Sequence, residues 1–139
     1  GAIMVAAGMR DDSTGALTWR TLSTTSGGSN SGVRIDCFAD GGEIWTLSNR
    51  ATEPFRKGGG GASAAAAMIA GAAVLIQSAY RRQVGGGVAY IGPKQMRDLL
   101  KIVGTSPAAG SNIGNMPDLA RIVVPPEAEK PVKADAPGE

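Results

Sequence analysis

The chain contains no histidine and a single cysteine, Cys37, in 139 residues. The first absence removes the side chain that most often serves as a general base near neutral pH. The second excludes an internal disulfide. Aromatic residues are 4% of the chain, so a core must rest on Ala, Val, Ile, Leu and Met. Charge of one sign is scarce as well: 14 Lys and Arg stand against 12 Asp and Glu, a net charge of +2. That balance, without a basic stripe, argues against a nucleic-acid partner or an anionic membrane. The longest unbroken apolar run, Ala64 to Ile76, falls short of the about 20 residues that a membrane span needs. No basic segment precedes the apolar start "AIMVAAG", so no secretory leader is expected.

What is abundant is glycine and alanine, and they meet in "KGGGGASAAAAMIAGAAVLIQ", Lys57 to Gln77. Alanine is the best helix former and no proline interrupts the run, so a helix is expected from Ser63 to Arg82. It is apolar nearly all round up to Ile76, the pattern of a helix buried centrally. Cations and then glycines close it at "YRRQVGGG". Ser63 at its entrance is most simply an N-cap. A phosphate loop is excluded because Ala62, not lysine, follows the glycines.

Around this helix the chain reads as alternating short elements. "GAIMVAAG", Gly1 to Gly8, is a buried strand ended by glycine. Arg10 to Ser31 is a polar loop with a weak strand at "ALTWRTLS". "GVRIDCFAD", Gly32 to Asp40, alternates as a strand with Val33, Ile35 and Cys37 on one face and Arg34 and Asp36 on the other. On that reading Asp36 is a solvent-facing carboxylate and Cys37 a core residue. A glycine turn and the short extended piece "GGEIWTLS" follow, then a loop from Thr52 to Gly61. "GPKQMRDLLKIVG", Gly92 to Gly104, is a second helix opened by Pro93, with Met96, Leu99, Leu100 and Val103 as its apolar face. "MPDLARIV" suggests a last short helix. From Pro125 to Glu139 the composition is that of a disordered tail.

"GASAAAAMIAG", Gly61 to Gly71, resembles the nucleophile motif of the subtilisin-like serine peptidases, the subtilases. That motif reads Gly-Thr-Ser-x-Ala-Ser/Ala-Pro-x-Val/Ile-Ala-Gly. Gly61 matches its first glycine, Ser63 its nucleophile, Ala65 its alanine, Ile69 its branched position and Ala70-Gly71 its closing pair. Ala62 departs from the usual threonine, Ala67 from the proline, and Ala66 sits where serine is common. The flanks are similar too: "GAIMVAAG" to an earlier strand, "SNSGVRIDCFADGGEI" to the segment upstream of the serine, and "IGPKQMRDLLKIVGT" and "IGNMPDLARIV" to those downstream.

The resemblance implies an α/β fold: a mostly parallel sheet with flanking helices and a central helix that starts at the nucleophile. Residues 1–124 would be the later, C-terminal part of the catalytic domain, followed by the tail at 125–139. The implied activity is peptide-bond hydrolysis by a serine endopeptidase through an acyl-enzyme on Ser63. The family's Asp, His and oxyanion Asn lie earlier in the chain order, so the isolated chain is expected to be inactive. Its partners would be a peptide or protein substrate and the missing N-terminal half, and one sheet edge would be exposed where that half belongs. The resemblance favours a secreted or periplasmic location. No cofactor or metal ligand set carries over. Asp36 comes after the family's Asp and His segments and is not a triad candidate. The competing reading is a non-catalytic module of the same fold, used for binding or scaffolding.

Overall fold

The computed structural model describes residues 2–11, 13, 18–24, 27–42, 44–58, 60–85 and 89–123. The tail expected from Pro125 lies outside the described residues. The central unit is a three-stranded sheet in the order β2-β1-β5, formed by β1 (Val5–Asp11), β2 (Thr18–Thr21) and β5 (Cys37–Asp40). β1 pairs with β2 antiparallel and with β5 parallel, Val5 opposite Cys37 and Gly8 opposite Asp40. Between β2 and β5 lies a small antiparallel pair, β3 (Ser23–Thr24) and β4 (Gly27–Gly28).

The sheet buries both faces, so its central strands are apolar without strict alternation. Ala7, Cys37 and Ala39 face the helices, packed with Ala65, Ile69, Ile76, Met96 and Leu100. Ala6 and Phe38 point the other way, onto Ile35 and Ile113, with Trp19 and Met116 half-buried beside them. Gly8 is required there, because a Cβ would strike the Phe38 ring.

Helix α1 (Ala62–Gln83) buries Ala65, Ile69, Ala72, Ile76 and Ala79, one stripe at alternating spacings of four and three. The other side is not covered by the described residues: Met68, Val74 and Leu75 are exposed. This corrects the expectation of a helix buried all round. The helix is also long and apolar enough to cross a membrane by length and composition, although the unbroken apolar run alone is not. Helix α2 (Pro93–Ile102) opens with Pro93, while Gln95 Oε1 accepts the Gly92 N–H at 3.2 Å. Its Met96 and Leu100 are buried and Leu99 and Val103 pack against the same cluster. The chain then forms β8 (Gly104–Thr105), β9 (Met116–Pro117) and the short helix α3 (Leu119–Val123). Gln83 ties α1 to α3 by donating Nε2–H to the Val123 carbonyl at 2.7 Å.

Two expectations differ from the observed pairing. The segment Thr52 to Gly61 is not all loop: β6 (Trp45–Arg50) and β7 (Glu53–Lys57) form an antiparallel hairpin. The sheet is also not mostly parallel. Among the described strands only β1 and β5 pair in parallel. Parallel neighbours need a long crossover, and the chain supplies one between β1 and β5; the other neighbours are joined as hairpins or short antiparallel contacts.

Candidate functional site

The parallel ladder of β1 and β5 ends at Gly8 and Asp40. Immediately beyond, the Gly41 N–H donates to the Gly8 carbonyl at 2.8 Å, and the Gly41 carbonyl accepts the Gly61 N–H at 2.6 Å. Asp40 Oδ1 accepts the Gly42 N–H at 2.8 Å and closes this turn. The start of α1 is thereby fastened to the carboxyl end of the parallel pair, the place where α/β sheets most often bind ligands.

The glycines of the run have separate causes. Gly60 passes so close to the Gly41 and Gly42 carbonyls that a Cβ would collide with both. A Cβ on Gly41 would run into Ala7. Gly61 sits at φ 88°, where L side chains are strained. Close backbone approach and a left-handed turn together require glycine here, and they place the next residues on a rigid entrance.

Ser63 lies in the first turn of α1 and is exposed. It does not cap the helix: the N-cap is Gly61, and no side chain makes a capping bond. Capping is therefore not what the serine does. The first turn of an α-helix presents unpaired backbone N–H groups and the positive end of the dipole. A hydroxyl in that turn stands beside donors that can stabilise a developing oxyanion. Behind Ser63, Ala65 is fully buried, Ala64 is half-buried, and Ala66 and Ala67 are exposed. A cavity of about 450 Å³ lies among the later half of α1, α2 and α3, another of about 510 Å³ lies along α1 beside Met96, and neither reaches Ser63.

Asp36 departs most from the sequence reading. It is 1% exposed and is not solvent-facing. Its Oδ2 accepts the Arg97 Nε–H and the Met4 N–H, each at 2.9 Å, and its Oδ1 accepts Arg97 Nη2–H at 2.8 Å. Lys101 Nζ stands 3.9 Å away. Burial pushes the carboxyl up, but the Arg97 hydrogen bond, the Met4 N–H and the two cationic charges outweigh it and hold the group below its ordinary value. The alternation assigned Asp36 to a wet face, yet the strand begins only at Cys37 and Asp36 precedes it. A basic residue on α2 between its buried positions, Arg97 beside Met96, was the available signal. The ion pair joins α2 to the residue that leads into β5, and none of its hydrogen bonds involves Ser63, so it is structural.

Next to it, Cys37 is fully buried and reduced, its thiol pushed up to about 12 by burial and by the Asp36 charge. It is a core residue and no nucleophile. Among the described residues no three acidic or cysteine side chains gather into a possible metal site.

No protein-family model matches the chain, and no curated protein matches it.

Proposed function

We propose that this chain carries the nucleophile of a subtilisin-like serine endopeptidase, with Ser63 as that nucleophile. One observation carries the reading: Ser63 is exposed in the first turn of a 22-residue helix whose entrance is bound, through Gly61 and Gly41, to the carboxyl end of a parallel strand pair. The order parallel strand β5, glycine turn, hairpin β6–β7, second glycine run, α1 and α2 supports it, as do the motif residues Gly61, Ala65, Ile69 and Gly71.

In the reaction, Ser63 Oγ attacks the carbonyl carbon of a peptide bond and gives up its proton to a base. The carbonyl oxygen becomes an oxyanion facing the first-turn N–H groups of α1. Collapse of that intermediate expels the amine, which takes the proton from the base, and leaves an acyl group on Ser63. Water, deprotonated by the same base, then releases the acid. With no histidine in the chain, the base comes from a different polypeptide segment, as do its orienting acid and the second oxyanion donor. The exposed side of α1, with Met68, Val74 and Leu75, is the surface on which that segment would pack.

The chain alone should react with a fluorophosphonate probe no faster than free serine does, because the hydroxyl has no base. In the assembly that supplies the base, Ser63 should be labelled rapidly, and Ser63→Ala should lower peptide hydrolysis by about four orders of magnitude or more. Fast labelling of the chain alone would contradict the borrowed base, and full hydrolysis by Ser63→Ala would remove the nucleophile.

A second reading is a non-catalytic binding or scaffolding module. Ala62 and Ala67, where the family motif has threonine and proline, favour it. It predicts that Ser63 stays unlabelled even in the assembly.

A further inference from the structure

Helix α1 carries two arginines in its last turn, Arg81 and Arg82, and both line the recess of about 510 Å³ beside Met96. Gln77 and Ser78 line it too, one turn earlier on the helix, and no acidic side chain does. Gln77 Oε1 accepts the Ile91 N–H at 3.0 Å. Its Nε2 is buried with no acceptor, the single such side-chain atom among the described residues. Neither guanidinium has a hydrogen bond or ion pair among the described residues. Two cations in the last turn complement the helix dipole, but that role does not require both to line one recess. A wall of donors without an acidic side chain is the complement of a carboxylate.

The chain itself supplies the carboxylates. Val123, the last described residue, is held to the end of α1 by the 2.7 Å bond from Gln83 to its carbonyl, and Gln83 directly follows the two arginines. Residues 124–139 carry Glu127, Glu129, Asp135 and Glu139 against Lys130 and Lys133, a net charge of −2. Since the whole chain is +2, residues 1–123 hold +4. Glu127 lies four residues beyond the anchored Val123, a reach of up to about 14 Å, against a helix diameter of about 10–12 Å. The chain is therefore long enough to round the end of α1. Pro125 and Pro126 favour an extended backbone at the start of that path. Exposed ion pairs are weak one at a time, but a short tether holds the partners at an effective concentration in the millimolar range.

We propose that residues 124–139 fold back across the end of α1, with the carboxylates of Glu127 and Glu129 on the guanidiniums of Arg81 and Arg82. This goes beyond the peptidase reading and does not depend on it. It makes the last turn of α1 a docking surface for a segment of the same chain, and it gives part of the positive excess of residues 1–123 a partner that the whole-chain average of charge conceals. The contact is electrostatic, so salt releases it.

The test uses the 139-residue chain with Ala128→Cys, labelled with a nitroxide. Cys37 is fully buried, so the reagent goes to position 128. The readout is the paramagnetic broadening of the backbone amides of residues 78–83 in the nitrogen-15-enriched chain. Strong broadening is expected at low salt, falling as salt is added. Arg81→Glu with Arg82→Glu should reduce it at least about threefold. Glu127→Gln with Glu129→Gln should do the same while leaving the folded part untouched. Adding Glu127→Arg with Glu129→Arg to the Arg81→Glu and Arg82→Glu chain should restore it. Arg56→Glu with Lys94→Glu, which changes the net charge equally but away from the recess, should leave it unchanged.

A segment that is merely tethered at Val123 broadens these amides to the same degree in every variant and at every salt concentration, and that result overturns the proposal. So does an equal loss in the Arg56 and Lys94 control, which would make the effect one of overall charge. Broadening in a mixture of spin-labelled, unenriched chain with enriched, unlabelled chain assigns the contact to a second copy and overturns it as well. The measurement involves no hydrolysis, so its failure is separable from failure of the peptidase reading.

Discussion

At the scale of single residues, the Asp36–Arg97 pair makes a pH-dependent prediction. The native carboxyl is held below its ordinary value. Its contribution to stability is therefore complete above the unfolded-state value of about 3.9 and disappears as pH falls through the lower native one. Asp36→Ala should destabilise the chain at neutral pH by about 3 kcal/mol, the low end for breaking a buried pair, because Arg97 is 37% exposed and rehydrates. The same variant should flatten the acid limb of a stability–pH curve measured by urea unfolding. Arg97→Ala should be worse than Asp36→Ala at pH 7, since it strands a buried carboxylate, and its penalty should shrink on acidification as that group takes a proton. Cys37 offers an independent check: a disulfide exchange reagent should leave the native thiol untouched and titrate it in full after denaturation. Cys37 could be read from the sequence as core, because an apolar strand surrounds it. Asp36 could not, because its partner lies 61 positions away on another element and local alternation carries no information about that distance.

At the scale of elements, the glycines around α1 separate two roles. Gly60→Ala should destabilise by about 1–3 kcal/mol through overpacking against the Gly41 and Gly42 carbonyls. Gly71 sits inside α1 with open space where its Cβ would be, so Gly71→Ala should stabilise the isolated chain by up to about 1 kcal/mol. Thermal unfolding of both variants checks the signs. If a further segment covers that side of α1, Gly71→Ala should at the same time weaken the assembly. Helices α1 and α2 were legible because alanine content, Pro93 and the Met96–Leu100 spacing act within one turn or two. The β7 strand was not. The two-residue connection Ala51-Thr52 lacks the glycine or asparagine that usually announces a hairpin, and Pro54 argues against a strand. What forms it is cross-strand pairing, Leu47 on Phe55, which no single stretch displays.

At the scale of the whole molecule, the sheet and helices come together through contacts between distant segments, which explains where reading the chain in order stopped. The mixed α/β class and the element order were accessible. The largely antiparallel pairing was not, since it depends on which neighbours the turns bring together. The side of α1 that the described residues leave uncovered was equally hidden, because an all-round apolar pattern does not say which polypeptide supplies the cover. Ile76→Ala, on the covered side, should cost about 2–5 kcal/mol by leaving a void between α1 and α2, and denaturant unfolding would measure it.

The relay from Gly8 through Gly41 to Gly61 has one more consequence. Because each carbonyl and amide in it is shared between the strands and the turn before Ser63, that turn cannot open while the strands stay closed. The Gly61 amide should therefore exchange with deuterium as slowly as the amides of Cys37–Asp40, in one cooperative unit with them, even though it borders a loop. A residue so placed would keep its geometry through ordinary thermal fluctuation and lose it only when the centre of the molecule melts.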